Sequence, residues 1–207
     1  MPRESTPLVR KSGFLEAEKF YVLAYEGNVT EKKYFEDLRQ SPMFNNSGSI
    51  ETIPLKKERN AGNSPLDVEK LLSKAKAEYN FRATDEFWLI IDRDDWEKEK
   101  NCFIALSNPC FEFWLILHLR KLEDIADGDR EKILENEKVS VKHNYIDLYL
   151  ADCIGDGRGY TKRPKASVFM PRVKVAIENA RMIRDLGERI PGGLSTDVYK
   201  LVEKLIK

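Results

Sequence analysis

The stretch DEFWLIIDRDD, residues 85–95, decides the fold. Phe87 to Ile91 is continuously apolar rather than alternating, the pattern of a strand buried on both faces of a parallel sheet. It runs straight into Asp92-Arg93-Asp94-Asp95. Side chains two apart on a strand share a face, so Asp92 and Asp94 project together at the strand's carboxyl end.

Working outward, VLAYEGNVTEKKYFEDL (22–38) repeats the arrangement. Phe20 to Tyr25 is a short apolar run with a tight exit at Glu26-Gly27, read as a buried strand. Asn28 followed by Glu31 predicts a capped helix with Tyr34, Phe35 and Leu38 on one face. Ser41 to Ser49 is a loop by composition, and Ile50 to Leu55 a second strand. Ser64-Pro65 opens a helix carrying Val68, Leu71, Leu72, Ala75 and Tyr79. Cys102 to Leu106 is a fourth apolar run, and SNPCFEFWLILHL (107–119) starts a helix from Phe111 to Leu119 that is apolar nearly all round, hence buried. From Leu122 onward charged helical stretches alternate with loops and no strand signal is evident. Val168 to Leu186 reads as a helix, and Val198, Leu201, Val202 and Leu205 place another at the end. The order βαβαββ followed by helices predicts an α/β sheet with a helical C-terminal part. The expected division is an N-terminal extension (1–17), an α/β core (18–121) and a helical region packed on it (122–207).

Composition narrows the class. The chain has 207 residues, with 35 Lys plus Arg against 35 Asp plus Glu, 42% hydrophobic and 10% aromatic residues. That is enough apolar material for a core and argues against wholesale disorder. Zero net charge excludes a histone-like basic binder but leaves room for a segregated acidic site and basic patch. No apolar run reaches the roughly 20 residues of a membrane span. The first residues lack the apolar segment of a secretory signal. Cys102, Cys110 and Cys153 lack CxxC spacing, which argues against a disulfide framework or a zinc site. A cytoplasmic protein with no membrane partner is the expectation.

The candidate chemistry lies at the carboxyl ends of the strands, where open α/β sheets build their sites. If the first and third strands are neighbours, Glu26, Asp92 and Asp94 converge. Three carboxylates in a small volume need a cation. Mg²⁺, or Mn²⁺, takes such oxygen ligands and leaves room for a phosphate substrate. A DxD at a strand end is also ordinary turn chemistry. Glu112 lies in the first turn of the buried helix, where the helix dipole favours it, and could complete the acidic cluster. His118 reads more naturally as a core histidine than as a ligand. Lys162, Arg163 and Lys165, in the glycine-bearing loop 155–165, are either solvated or a phosphate-contacting patch. Lys56, Lys57 and Arg59 pose the same choice. No GxGxxG, P-loop, HExxH or GxSxG motif is present.

The three quoted stretches, with GYTK (159–162), AIENAR (176–181) and STDVYKLVEKL (195–205), resemble the RloB-like proteins over roughly residues 18 to 206. That family is prokaryotic, occurs with restriction or phage-defence loci, and is regarded as a divergent branch of the Toprim group. The resemblance implies a four-stranded, mostly parallel sheet in the order 2-1-3-4. It also implies a conserved Glu after strand one, here Glu26, and a DxD after strand three, here Asp92 and Asp94. The expected function is a Mg²⁺-dependent nuclease acting on DNA, RNA or tRNA. In it Asp92 and Asp94 hold the metal, Glu26 ligates a second metal or acts as general base or acid, and Lys162 contacts a phosphate beside Arg163 and Lys165. Two rivals are a non-catalytic binding or effector subunit controlled by a partner ATPase, and nucleotidyl transfer by the same acidic trio. One departure from the family stands out. Only Asp95 to Asn101 separate the DRDD strand end from the next strand, where a parallel crossover usually takes roughly a dozen residues or more. Either residues are missing there or the fourth strand pairs differently.

Overall fold

A computed structural model describes residues 19–25, 27, 29–45, 50–54, 83–93, 102–157, 160–184 and 192–207, apart from the side chains of 50–54 and 184. Strands β1 (Lys19–Tyr25), β2 (Ile50–Pro54), β3 (Glu86–Asp92) and β4 (Phe103–Asn108) are all parallel. A fifth strand, β5 (Ser195–Thr196), joins β4 antiparallel. The sheet is therefore mixed and five-stranded, in the order β2-β1-β3-β4-β5, rather than a four-stranded sheet ending at β4. The strand in the C-terminal part escaped the sequence because two residues carry no period. It is held by specific bonds: Asp197 N–H donates to the Leu106 carbonyl (2.7 Å), and the Ser107 and Thr196 hydroxyls pair at 2.9 Å.

The short link after β3 does not prevent parallel pairing. Residues 93–102 join β3 to β4, and the register runs from Trp88↔Phe103 to Asp92↔Ser107. The chain must return only four rungs, about 13 Å, whereas ten extended residues reach about 33 Å.

Continuous apolar strands are explained by burial on both faces. Tyr21, Leu23, Tyr25, Trp88, Ile90 and Ala105 belong to the larger core, and Val22, Ala24, Phe87, Leu89 and Ile91 to a second cluster with Ile104 and Leu106. The split follows the two-residue alternation of strand side chains. Over the larger core lie α1 (Thr30–Gln40), contributing Tyr34, Phe35 and Leu38, and α2 (Phe111–Ile116), buried at every residue. Helix α2 stops at Ile116; Leu117 to Leu119 form a turn.

Helices α3 (Asp127–Glu135) and α4 (Tyr145–Ile154) follow. Each ends on a residue in the left-handed region, Asn136 (φ 47°) and Gly155 (φ 77°). The expected helix from Val168 to Leu186 is divided into α5 (Ala166–Phe169), a 3-10 turn (Met170–Arg172) and α6 (Val173–Arg184). Pro171 lies in that turn and has no N–H to continue an α-helical ladder. Helix α7 (Val198–Leu205) presents Val198, Leu201, Val202 and Leu205 to the core, as their spacing predicts. The helix read from Val68 to Tyr79 lies outside the described residues.

Candidate active site

Strands β1 and β3 are adjacent and parallel, with Tyr25 opposite Ile90, so both chains leave the sheet at one carboxyl edge. Three helices also begin there: α1 at Thr30, α2 at Phe111 and α4 at Tyr145.

Beyond β1, Gly27 N–H donates to Glu31 Oε1 (3.1 Å). The N-cap of α1 is Val29, with no side-chain cap, and Asn28 lies outside the described residues. Glu31 thus serves the chain entering the helix. Its carboxylate lies so close to Gly27 that a β-carbon there would collide with it. Gly27→Ala is expected to cost about 1 kcal/mol or less, because the clashing atoms are the far end of the flexible Glu31 side chain, which can swing aside at the expense of one hydrogen bond; a urea midpoint showing a loss of several kcal/mol would refute this.

Asp92 ends β3, and its Oδ1 accepts the N–H of Phe111 (2.9 Å), the first residue of α2. A carboxylate from a neighbouring strand therefore caps a helix whose own N-cap residue, Cys110, makes no side-chain cap bond. Cys110 is buried. Burial, then the carboxylates of Glu112 and Asp92, push its thiol well above its ordinary pKa, so it remains protonated. A thiolate nucleophile has no support.

Glu112, in the first turn of α2, is buried and accepts Lys162 Nζ at 3.0 Å. The same ammonium is 2.7 Å from Asp147 Oδ1. Asp147 is also buried, and its Oδ2 takes the Asn144 N–H (3.0 Å) in a capping box at the start of α4. Lys162 has a left-handed backbone (φ 59°). The Thr30 hydroxyl lies 3.1 Å from its carbonyl and 3.3 Å from Glu112 Oε1. Burial alone would lower the Lys162 pKa; Glu112 and Asp147 outweigh it and hold the ammonium charged beyond its usual range. Tyr160 is buried near the same carboxylates, and burial, then Glu112, raise its phenol.

A sequence model of the RloB-like protein family matches residues 21–205. The chain belongs to the RloB-like family. Comparison with curated proteins and with solved structures gave no match. No helix among the described residues is long and apolar enough to cross a membrane.

In this RloB-like chain Asp92, Glu112 and Lys162 come to one sheet edge. Glu26 and Asp94 lie outside the described residues, as do Lys56, Lys57 and Arg59. Among the described residues no three His, Cys, Asp or Glu side chains are grouped to hold a metal ion. Lys165 pairs with Asp156 (3.3 Å). With exposed Arg163 it lines a pocket at the end of α4, together with Ile154, Tyr160 and Thr161. His118 is a core residue: its Nε2 is 3.0 Å from the Tyr34 hydroxyl and its Nδ1 2.9 Å from the Trp114 carbonyl. The carbonyl can only accept, which assigns the ring proton to Nδ1 and makes Tyr34 the other donor.

Sequence reasoning missed Asp147, Thr30 and Tyr160 as neighbours of Glu112 and Lys162. Asn144-x-x-Asp147 before an apolar run is a capping-box signature and could have flagged Asp147 as a buried acid. The pairing with Lys162 spans separate elements and has no local signature.

Proposed function

We propose that this RloB-like chain is a divalent-metal-dependent phosphodiesterase, a nuclease of prokaryotic phage defence. The observation that carries the reading is Asp92, placed where β3 ends beside β1 in a parallel sheet. With Glu26 next in sequence after β1 and Asp94 two residues after Asp92, the donor set is all carboxylate, which suits Mg²⁺ or Mn²⁺. When bound, such an ion supplies an activated water and stabilises charge developing on phosphate. On this reading Asp92 and Asp94 hold the ion, and Glu26 is a further ligand or takes the proton from water. Lys162 supplies positive charge at the same edge, and Arg163 and Lys165 extend it toward the pocket after α4.

A second reading, a nucleic-acid-binding or effector subunit worked by a partner ATPase, is favoured by one observation. Asp92 and Lys162 already have structural partners in the free chain. Incubation with mixed DNA and RNA plus Mn²⁺ separates the two. Wild type should release cleaved fragments and Glu26→Ala should not. Equal activity of the two proteins, or none in wild type, would remove the nuclease reading.

A further inference from the structure

Two buried carboxylates, Glu112 (5% exposed) and Asp147 (2% exposed), share the single ammonium of Lys162. One negative charge is left over in a place where water is scarce. Other oxygens surround it. The Thr30 hydroxyl and the Lys162 carbonyl lie 3.1 Å apart, with Glu112 Oε1 3.3 Å from that hydroxyl. The Tyr160 hydroxyl, on a side chain 4% exposed, lies beside Thr30 and close enough to Glu112 and Asp147 to feel their charge.

Carboxylate, hydroxyl and carbonyl oxygens are what a hard divalent cation takes, and one or two carboxylates are usual for Mg²⁺. Here the seat is filled by a lysine. A lysine is able to leave, because its charge rides on a flexible stem and its side chain is 45% exposed.

We propose that the Lys162 ammonium and a divalent cation compete for the seat formed by Glu112 and Asp147, so that cation loading frees Lys162 toward solvent. By linkage each occupant weakens the other. The carboxylates of this seat, Glu112 and Asp147, are other residues than Glu26, Asp92 and Asp94. That the freed lysine then meets a substrate phosphate rests on the nuclease reading; the competition itself does not.

Mn²⁺ titrated by calorimetry into metal-free wild type, Lys162→Met and Lys162→Met/Glu112→Gln tests the competition. Lys162→Met should bind Mn²⁺ at least tenfold more tightly than wild type, and the double variant should lose that gain. Equal affinity in Lys162→Met and wild type, or a gain that survives Glu112→Gln, overturns the proposal. A second measurement needs no variant. The rate of Lys162 acetylation by acetic anhydride, followed by mass spectrometry in folded wild type, should rise severalfold with Mn²⁺. An unchanged rate overturns the proposal even if Lys162→Met does not fold. A wild type that cleaves no nucleic acid would end the nuclease reading and leave both Mn²⁺ results interpretable.

Discussion

Asp92→Asn is expected to reduce Mn²⁺-dependent cleavage on the order of a hundredfold or more, while changing stability by about 1 kcal/mol or less. The asymmetry follows from the two tasks of one side chain. Asp92 Oδ1 accepts the Phe111 N–H at the start of α2. An Asn carbonyl can accept the same bond, so the cap survives apart from the small attraction between a carboxylate and a helix N-terminus. The negative charge needed to hold a divalent ion is lost. Asp92→Ala removes both functions and should add about 1 kcal/mol of destabilisation, typical of a lost cap. Cleavage rates and urea midpoints for the pair separate the roles. If Asp92→Asn cleaves like wild type while Asp92→Ala is merely less stable, Asp92 is a cap and the metal mechanism is wrong.

The second large effect is on stability against pH. His118 is buried among Tyr34, Trp114 and Phe169, whose rings stand edge-on to it. Burial is the main cause that drives its pKa down to about 3. In the unfolded chain the ring titrates near its ordinary value, about 6.5. Below that value the unfolded state binds a proton that the folded state refuses, so stability falls as pH falls. The loss should amount to about 2 kcal/mol between pH 6.5 and 5, at about 1.4 kcal/mol per pH unit once the unfolded ring is protonated. This window lies above the range of Glu86, whose pKa is lowered: burial opposes its charge, but Lys19, Lys204 and Trp88 outweigh it. Its contribution is lost only at pH values below about 4.5. Urea titrations of wild type and His118→Gln at pH 7, 6 and 5 measure the slope. A variant as pH-dependent as wild type would show that the buried ring is not the cause.

Legibility followed the physics of each element. Continuous apolar runs at Phe20–Tyr25 and Phe87–Ile91 announced parallel strands because burial on both faces leaves no polar alternation. Helix α2 was legible for the same reason. The division of 166–184 at Pro171 could have been read from one residue. β5 could not, because its two residues depend on hydrogen bonds to β4 rather than on a pattern of their own. At the site, Asp92, Glu112 and Lys162 were visible as charges at the ends of elements. The partners they would choose were not. The sequence reading aimed Lys162 at a phosphate, whereas the fold turns it onto Glu112 and Asp147 across 50 and 15 positions of chain.

The short antiparallel strand on β4 has a consequence for behaviour in concentrated solution. A parallel sheet ending at β4 would offer a row of unpaired amides and carbonyls to any passing chain. β5 engages that margin through Ser107 and Asn108 and then turns away into α7. A strand of two residues is itself a poor template, so where β5 pairs, at Ser107 and Asn108, the margin is closed to the side-by-side stacking that seeds amyloid-like assembly.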